Sequence, residues 1–130
     1  MKVSSQVTPL FEAFPDGVLP AGCPSRIVLD HVTSKWGVLV LVALSNETLR
    51  WNELRRRAEG ISEKMLAQTL RTLERDGLVR RDARPVIPPW VDYSLTDRGR
   101  ELVALLTPLL EWILANADDI LADQPSPIGS

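Results

Sequence analysis

Four side chains, Lys64, Gln68, Arg71 and Arg75, recur at helical spacing, and all can donate hydrogen bonds. At 100° per residue they fall within about 60° of one another, while Leu66, Leu70 and Leu73 take the opposite side. Lysine and arginine can reach O6 and N7 of guanine, or a phosphate, and glutamine can pair with N6 and N7 of adenine. A cationic helix face alone is commonly just a solvated face. Here a basic segment with Arg80, Arg81 and Arg84 follows it, then a turn rich in proline and a second alternating segment. A helix followed by a basic hairpin is how a winged helix-turn-helix meets duplex DNA. The candidate duplex contacts are therefore Lys64, Gln68, Arg71 and Ser62 on the helix, Arg80 and Arg84 on the hairpin, and Arg50 ahead of the preceding helix. One of Arg55, Arg56 and Arg57 could hold a phosphate from that helix.

A second chemistry is open to Cys23, the only cysteine. One thiol cannot form an intramolecular disulfide, and a cysteine-rich zinc site is excluded. Pro24 suits the first turn of a helix, which makes Cys23 its cap and sets the thiol at the positive end of the dipole. That position favours thiolate and hence reactivity. The alternative is a partly buried cap with no sensory role. A reactive Cys23 would have three outcomes: an intersubunit disulfide, a mixed disulfide with a small thiol, or alkylation by an electrophile.

Catalysis finds little support. His31, the only histidine, follows Asp30, but adjacent helical residues point about 100° apart and make no ready dyad. Ser34 has no oriented base beside it. No enzyme, metal site or cofactor is expected.

These residues need a scaffold, and 130 residues allow one domain with a modest core. The formal net charge of −2 hides an asymmetry. Residues 50–84 hold ten Lys and Arg against six Asp and Glu, and the remainder holds five against eleven. One basic face on an otherwise acidic chain fits a single contact with phosphate. No apolar run approaches the roughly 20 residues that span a bilayer, and the N-terminus lacks the pattern of a signal peptide. A cytoplasmic location is the default expectation.

Prolines and glycines in residues 1–22 predict a flexible arm, and those in residues 124–130 predict a disordered tail. Residues 23–123 form the body. A helix begins at Pro24, with Ile27, Val28 and Val32 as its apolar side. Residues 35–44 are apolar nearly all round and predict a buried helix. Residues 49–51 predict a short strand. Asn52 should cap a helix over residues 53–58, and Ser62 should cap the next, which Gly77 ends. Residues 78–84 and 91–95 predict a hairpin. Thr96 should cap a long C-terminal helix that Pro108 kinks or splits. That helix carries two apolar stripes, one through Leu102, Leu106, Leu109 and Ile113, the other through Val103, Leu110 and Leu114. One stripe would pack on the body and the other on a second subunit, with Trp112 at the boundary.

The segments CPSRIVLDHVTSKWGVLVLVALS, WNELRRRAEGISEKMLAQTLRTLERDGLVRRD and IPPWVDYSLTDRGREL together resemble the HxlR-type transcription regulators, a winged helix-turn-helix group related to MarR. The resemblance covers about 100 residues. It implies a mainly α fold with a small β-hairpin and with N- and C-terminal dimerisation helices. It further implies a homodimer on a pseudo-palindromic operator, often answering reactive chemicals. Cys23 stands where many members carry a thiol switch, so a small electrophile or thiol oxidant is an expected partner. Ile27, Leu109, Trp112 and Ile113 are the expected dimer contacts. The chain departs from the family at Thr33 and Ser34, where glycines are common, and at Trp51, where phenylalanine is common. Two other readings compete. One is a winged helix used only for protein contacts, which the basic segment disfavours. The other is control by a small-molecule ligand near the dimer interface, in a pocket lined by Trp36, Trp90, Trp112 and Leu106.

Overall fold

The computed structural model describes residues 19–125. Most of the expected arm and of the expected tail lies outside the described residues. The chain forms two compact units, Met1–Ser34 and Lys35–Ser130.

The described part of the first unit is built around α1, Pro24–Val32. Cys23 is its N-cap in an extended conformation, and Pro24 takes the first turn, where its missing N–H leaves nothing unsatisfied. The backbone carbonyl of Cys23 accepts from the Ile27 N–H at 3.1 Å. The thiol itself makes no capping hydrogen bond. Thr33 closes the helix, its hydroxyl donating to the Leu29 carbonyl at 2.6 Å.

The second unit orders α2 (Lys35–Ala43), α3 (Trp51–Arg57), α4 (Glu63–Arg75), β1 (Val79–Arg84), β2 (Trp90–Leu95) and α5 (Asp97–Ala122). Helix α2 packs on α3, α4 and α5, which is why its sequence is apolar. Leu41, Leu44, Leu54, Leu66 and Leu73 are fully buried, and no polar or charged side chain joins them among the described residues. Burying each such leucine contributes roughly 1.5–3 kcal/mol.

The N-terminus of α3 differs from expectation. Arg50, not Asn52, is its N-cap. Its carbonyl accepts from the Leu54 N–H at 3.0 Å, and the Glu53 carboxylate accepts from its N–H at 2.8 Å. The glutamate at the third helical position thus satisfies the N–H of the cap residue itself, as in a capping box. The strand expected over residues 49–51 shrinks to one bridge, Leu49 to Tyr93, with both backbone bonds made at 2.9 and 2.8 Å. Trp51 is already helical.

Helix α4 ends in a Schellman motif: Gly77 N–H donates to Glu74, and Leu78 N–H reaches back to Leu73 at 2.9 Å. Gly77 adopts φ +76°, which a side chain would oppose. Thr96 then joins two elements. Its hydroxyl accepts from the Gly99 N–H at 3.0 Å, capping α5, and donates to the Gly77 carbonyl at 2.6 Å. Gly99 lies against the backbone of Leu78, where a Cβ would overlap the carbonyl oxygen.

Helix α5 runs through Pro108 as one element of 26 residues and is not split. Proline removes a single bond from a long ladder, the one Ala104 would have accepted. The Thr107 hydroxyl meanwhile donates to the Val103 carbonyl at 2.8 Å.

Candidate nucleic-acid interface

Helix α4 has two chemically distinct sides. Leu66, Leu70 and Leu73 are buried. Lys64, Gln68, Arg71 and Arg75 are exposed. Ser62 spends its lone pair on the cap, accepting from the Met65 N–H at 3.0 Å, and retains its own proton for an outside acceptor. Glu63 in the first turn is met by Arg55 at 3.3 Å, which moderates a negative charge that would otherwise repel phosphate beside Lys64.

The hairpin register decides which arginines share a face. Val79 pairs with Leu95, Arg81 with Tyr93, and Arg84 with Trp90. Cross-strand partners point the same way, so Arg81 lies on the side of buried Tyr93. There it joins Arg71, Glu74 and Trp51 around a concavity of about 350 Å³ between α4 and the hairpin. The expected set omitted Arg81. Only the register could have found it, because Arg80 and Arg81 look equivalent in sequence.

Arg80 and Arg84 take the other face, with Asp82, Asp92 and Trp90. Arg84 pairs with Asp92 at 3.1 Å, and Asp92 also accepts from Trp90 Nε1 at 2.9 Å. The bridge at Leu49 turns the next residue, Arg50, to this same face. Its guanidinium stacks on the Trp90 ring at 3.8 Å, and that of Arg84 approaches at 5.5 Å. Arg50 and Arg84 are thus brought together across one indole ring.

The triple arginine of α3 is divided by its partners. Arg57 forms a two-pronged pair with Glu47, at 2.8 and 3.1 Å. That guanidinium holds the Glu47 carboxyl below the usual glutamate range, chiefly through the hydrogen bond. Arg55 is engaged by Glu63. Arg56 has no ion pair among the described residues. It borders a concavity of about 450 Å³ with Arg50, Asn52 and Pro89.

Beyond Leu106 no residue of α5 is buried. Leu109, Trp112 and Ile113 are 50%, 57% and 41% exposed. In the first unit Ile27 is exposed as well, and Cys23 is half-buried. Two of the residues expected to line a ligand pocket have neighbours of their own. Trp90 stands on the hairpin under Arg50, whereas Trp36 lies beside Gly60. No described helix is long and apolar enough to cross a membrane.

A short helix, a second helix with a polar outer face and a following two-stranded hairpin make the winged helix-turn-helix arrangement. The HxlR-like helix-turn-helix family model matches residues 31–120. The chain belongs to the HxlR-like family. A relative from Escherichia coli strain K12, described as an uncharacterized HTH-type transcriptional regulator, YtfH, is 54% identical over 100 residues, covering 77% of this chain and 79% of its own. A solved structure described as "Putative transcriptional regulator ytfH from Salmonella typhimurium" superposes with a TM-score of 0.75 at 51% identity, covering 79% of this chain and 92% of that one. The reduced form of the transcriptional regulator YodB from B. subtilis superposes with a TM-score of 0.61 at 30% identity, covering 70% and 90%. YodB has also been solved after diamide treatment. HxlR-like proteins of this kind are transcriptional regulators, not enzymes, and this chain is a transcriptional regulator of the helix-turn-helix type. As such it binds DNA.

Proposed function

We propose that the protein acts as a homodimer on a pseudo-palindromic operator, with α4 in the major groove of each half-site. The observation that carries this reading is the exposed face of Lys64, Gln68 and Arg71 set directly over a leucine core and beside a basic hairpin. Gln68 and Lys64 lie toward the N-terminal half of α4, which in helix-turn-helix docking approaches base edges most closely. Arg71, Arg80, Arg81, Arg84 and Arg56 supply contacts to the sugar-phosphate backbone. Ser62 can donate to a phosphate from the helix N-terminus, where the dipole favours an anion. The apolar outer face of α5, with Leu109, Trp112 and Ile113, and the exposed Ile27 on α1 supply the dimer contacts.

Control through Cys23 is supported by its place at the N-cap of α1 and by the likeness to YodB, solved reduced and after diamide. A thiol oxidant or small electrophile would act on the free, half-buried Cys23 thiol.

A gel-shift titration of the wild-type chain against DNA upstream of its own gene tests the reading. Binding should weaken steeply with salt, because bound Lys and Arg displace counterions. Gln68→Ala should narrow the gap between matched and scrambled duplexes, whereas Arg80→Ala should weaken both alike. Equal losses from the two variants on both duplexes would contradict the division of labour. Diamide should change binding by the wild type and not by Cys23→Ser; an identical response in both removes Cys23 as the sensor.

A further inference from the structure

The hairpin ends in residues 85–89, Pro-Val-Ile-Pro-Pro, beyond the last ladder pair of Arg84 and Trp90. The tip contains no charged or polar side chain. Ile87 is 99% exposed and Val86 49% exposed. The Val86 N–H turns back to the Arg84 carbonyl at 2.8 Å, and prolines fix the backbone on both sides. The cations stand one step behind the tip. Arg50 and Arg84 are both held against the Trp90 ring, and Asp92 ties Arg84 to the indole N–H. The stem is therefore braced and cationic, and the end is stiff and apolar.

We propose that this wing enters the DNA minor groove apolar end first, with Ile87 acting as a wedge against a base step and Arg50 and Arg84 meeting the phosphates on either side. The proposal rests on the DNA-binding reading above and adds what the wing does there. The reach fits: three residues from Arg84 to Ile87 span at most about 10 Å, against a minor groove roughly 7.5 Å deep. An apolar point ringed by cations suits a polyanion with an apolar interior, which is what a duplex offers at a groove. A partner protein would have to accommodate the Arg50 guanidinium, which has no ion pair among the described residues, to reach the same tip. Apolar side chains inserted at a base step partly unstack it and bend the duplex toward the major groove. Here that bend would close the DNA around α4.

The test uses a duplex selected by the full-length wild-type protein from a random-sequence pool, labelled at both ends for energy transfer. The wild type should bend it, by some tens of degrees, ~20–90°. Ile87→Ala should bind within about tenfold of wild type with the same salt dependence, yet leave the duplex nearly straight. Ile87→Met should restore most of the bend. Ile87 is fully exposed, so these variants should fold normally, which their thermal unfolding checks. A straight duplex with the wild type, or an equal bend with Ile87→Ala, overturns the wedge while leaving the DNA reading intact. An unchanged bend together with an altered oligomeric state in Ile87→Ala also overturns it and makes the tip a protein contact. Failure of the wild type to select any duplex overturns the DNA reading itself, and the wedge with it.

Discussion

Arg50 and Trp90 are stacked at 3.8 Å although one precedes α3 and the other opens β2. The contact fastens the hairpin to the helix-turn-helix. A double-mutant cycle of Arg50→Ala and Trp90→Ala, read by urea unfolding, should give a coupling of about 0.5–1 kcal/mol. Losses that add without coupling would show that the stack holds nothing.

Gly99→Ala should be among the most damaging single changes in the chain. A Cβ there overlaps the Leu78 carbonyl and comes within 3.2 Å of Leu95 Cδ2. The first obstacle is backbone, which cannot rotate aside. The expected loss is about 2 kcal/mol or more in urea unfolding, against a few tenths for Glu101→Ala at an exposed position of the same helix. A loss under about 0.5 kcal/mol would mean that α5 and the α4–β1 turn can separate.

Arg56 and Arg57 are neighbours with different duties. Arg56→Ala should reduce the slope of log affinity against log salt by about one. Arg57→Ala should leave the slope nearly unchanged, because its guanidinium is already committed to Glu47. The same pair adds a pH dependence. The Glu47 carboxyl is lowered in the folded state, so its contribution is present above the ordinary glutamate range. It is lost as pH falls through the lowered folded value. A carboxyl titration followed by NMR should show Glu47 moving back up in Arg57→Ala.

Trp112→Asp should shift the protein toward monomer in sedimentation velocity while leaving its helix content intact. The side chain is 57% exposed on the single chain, so removing it opens no cavity. An unchanged oligomer would relocate the dimer contact away from this part of α5.

Much of the architecture could be read from local chemistry. The leucine period of α4, the glycine after it and the threonine before α5 each specify their own surroundings, and each stands where its pattern required. What escaped depended on partners distant in sequence. Arg81 acquired its face from pairing with Tyr93. Nothing in the sequence around Trp90 announces its stack with Arg50. The start of α3 was displaced by Glu53 acting on a backbone N–H, an effect that Asn52, the stronger capping type, concealed. Pro108 carries a strong local rule against helix interiors, and the rest of α5 outweighed it.

The Thr96 hydroxyl is bonded both to Gly77 and to Gly99. One oxygen atom therefore joins the turn that closes α4 to the start of a 26-residue helix about 39 Å long. A tilt of a few degrees at this joint sweeps the far end of α5 by an ångström or two. In the homodimer proposed above, the distance between the two copies of α4, to be matched to a half-site spacing of about 34 Å, would depend on this joint in each copy.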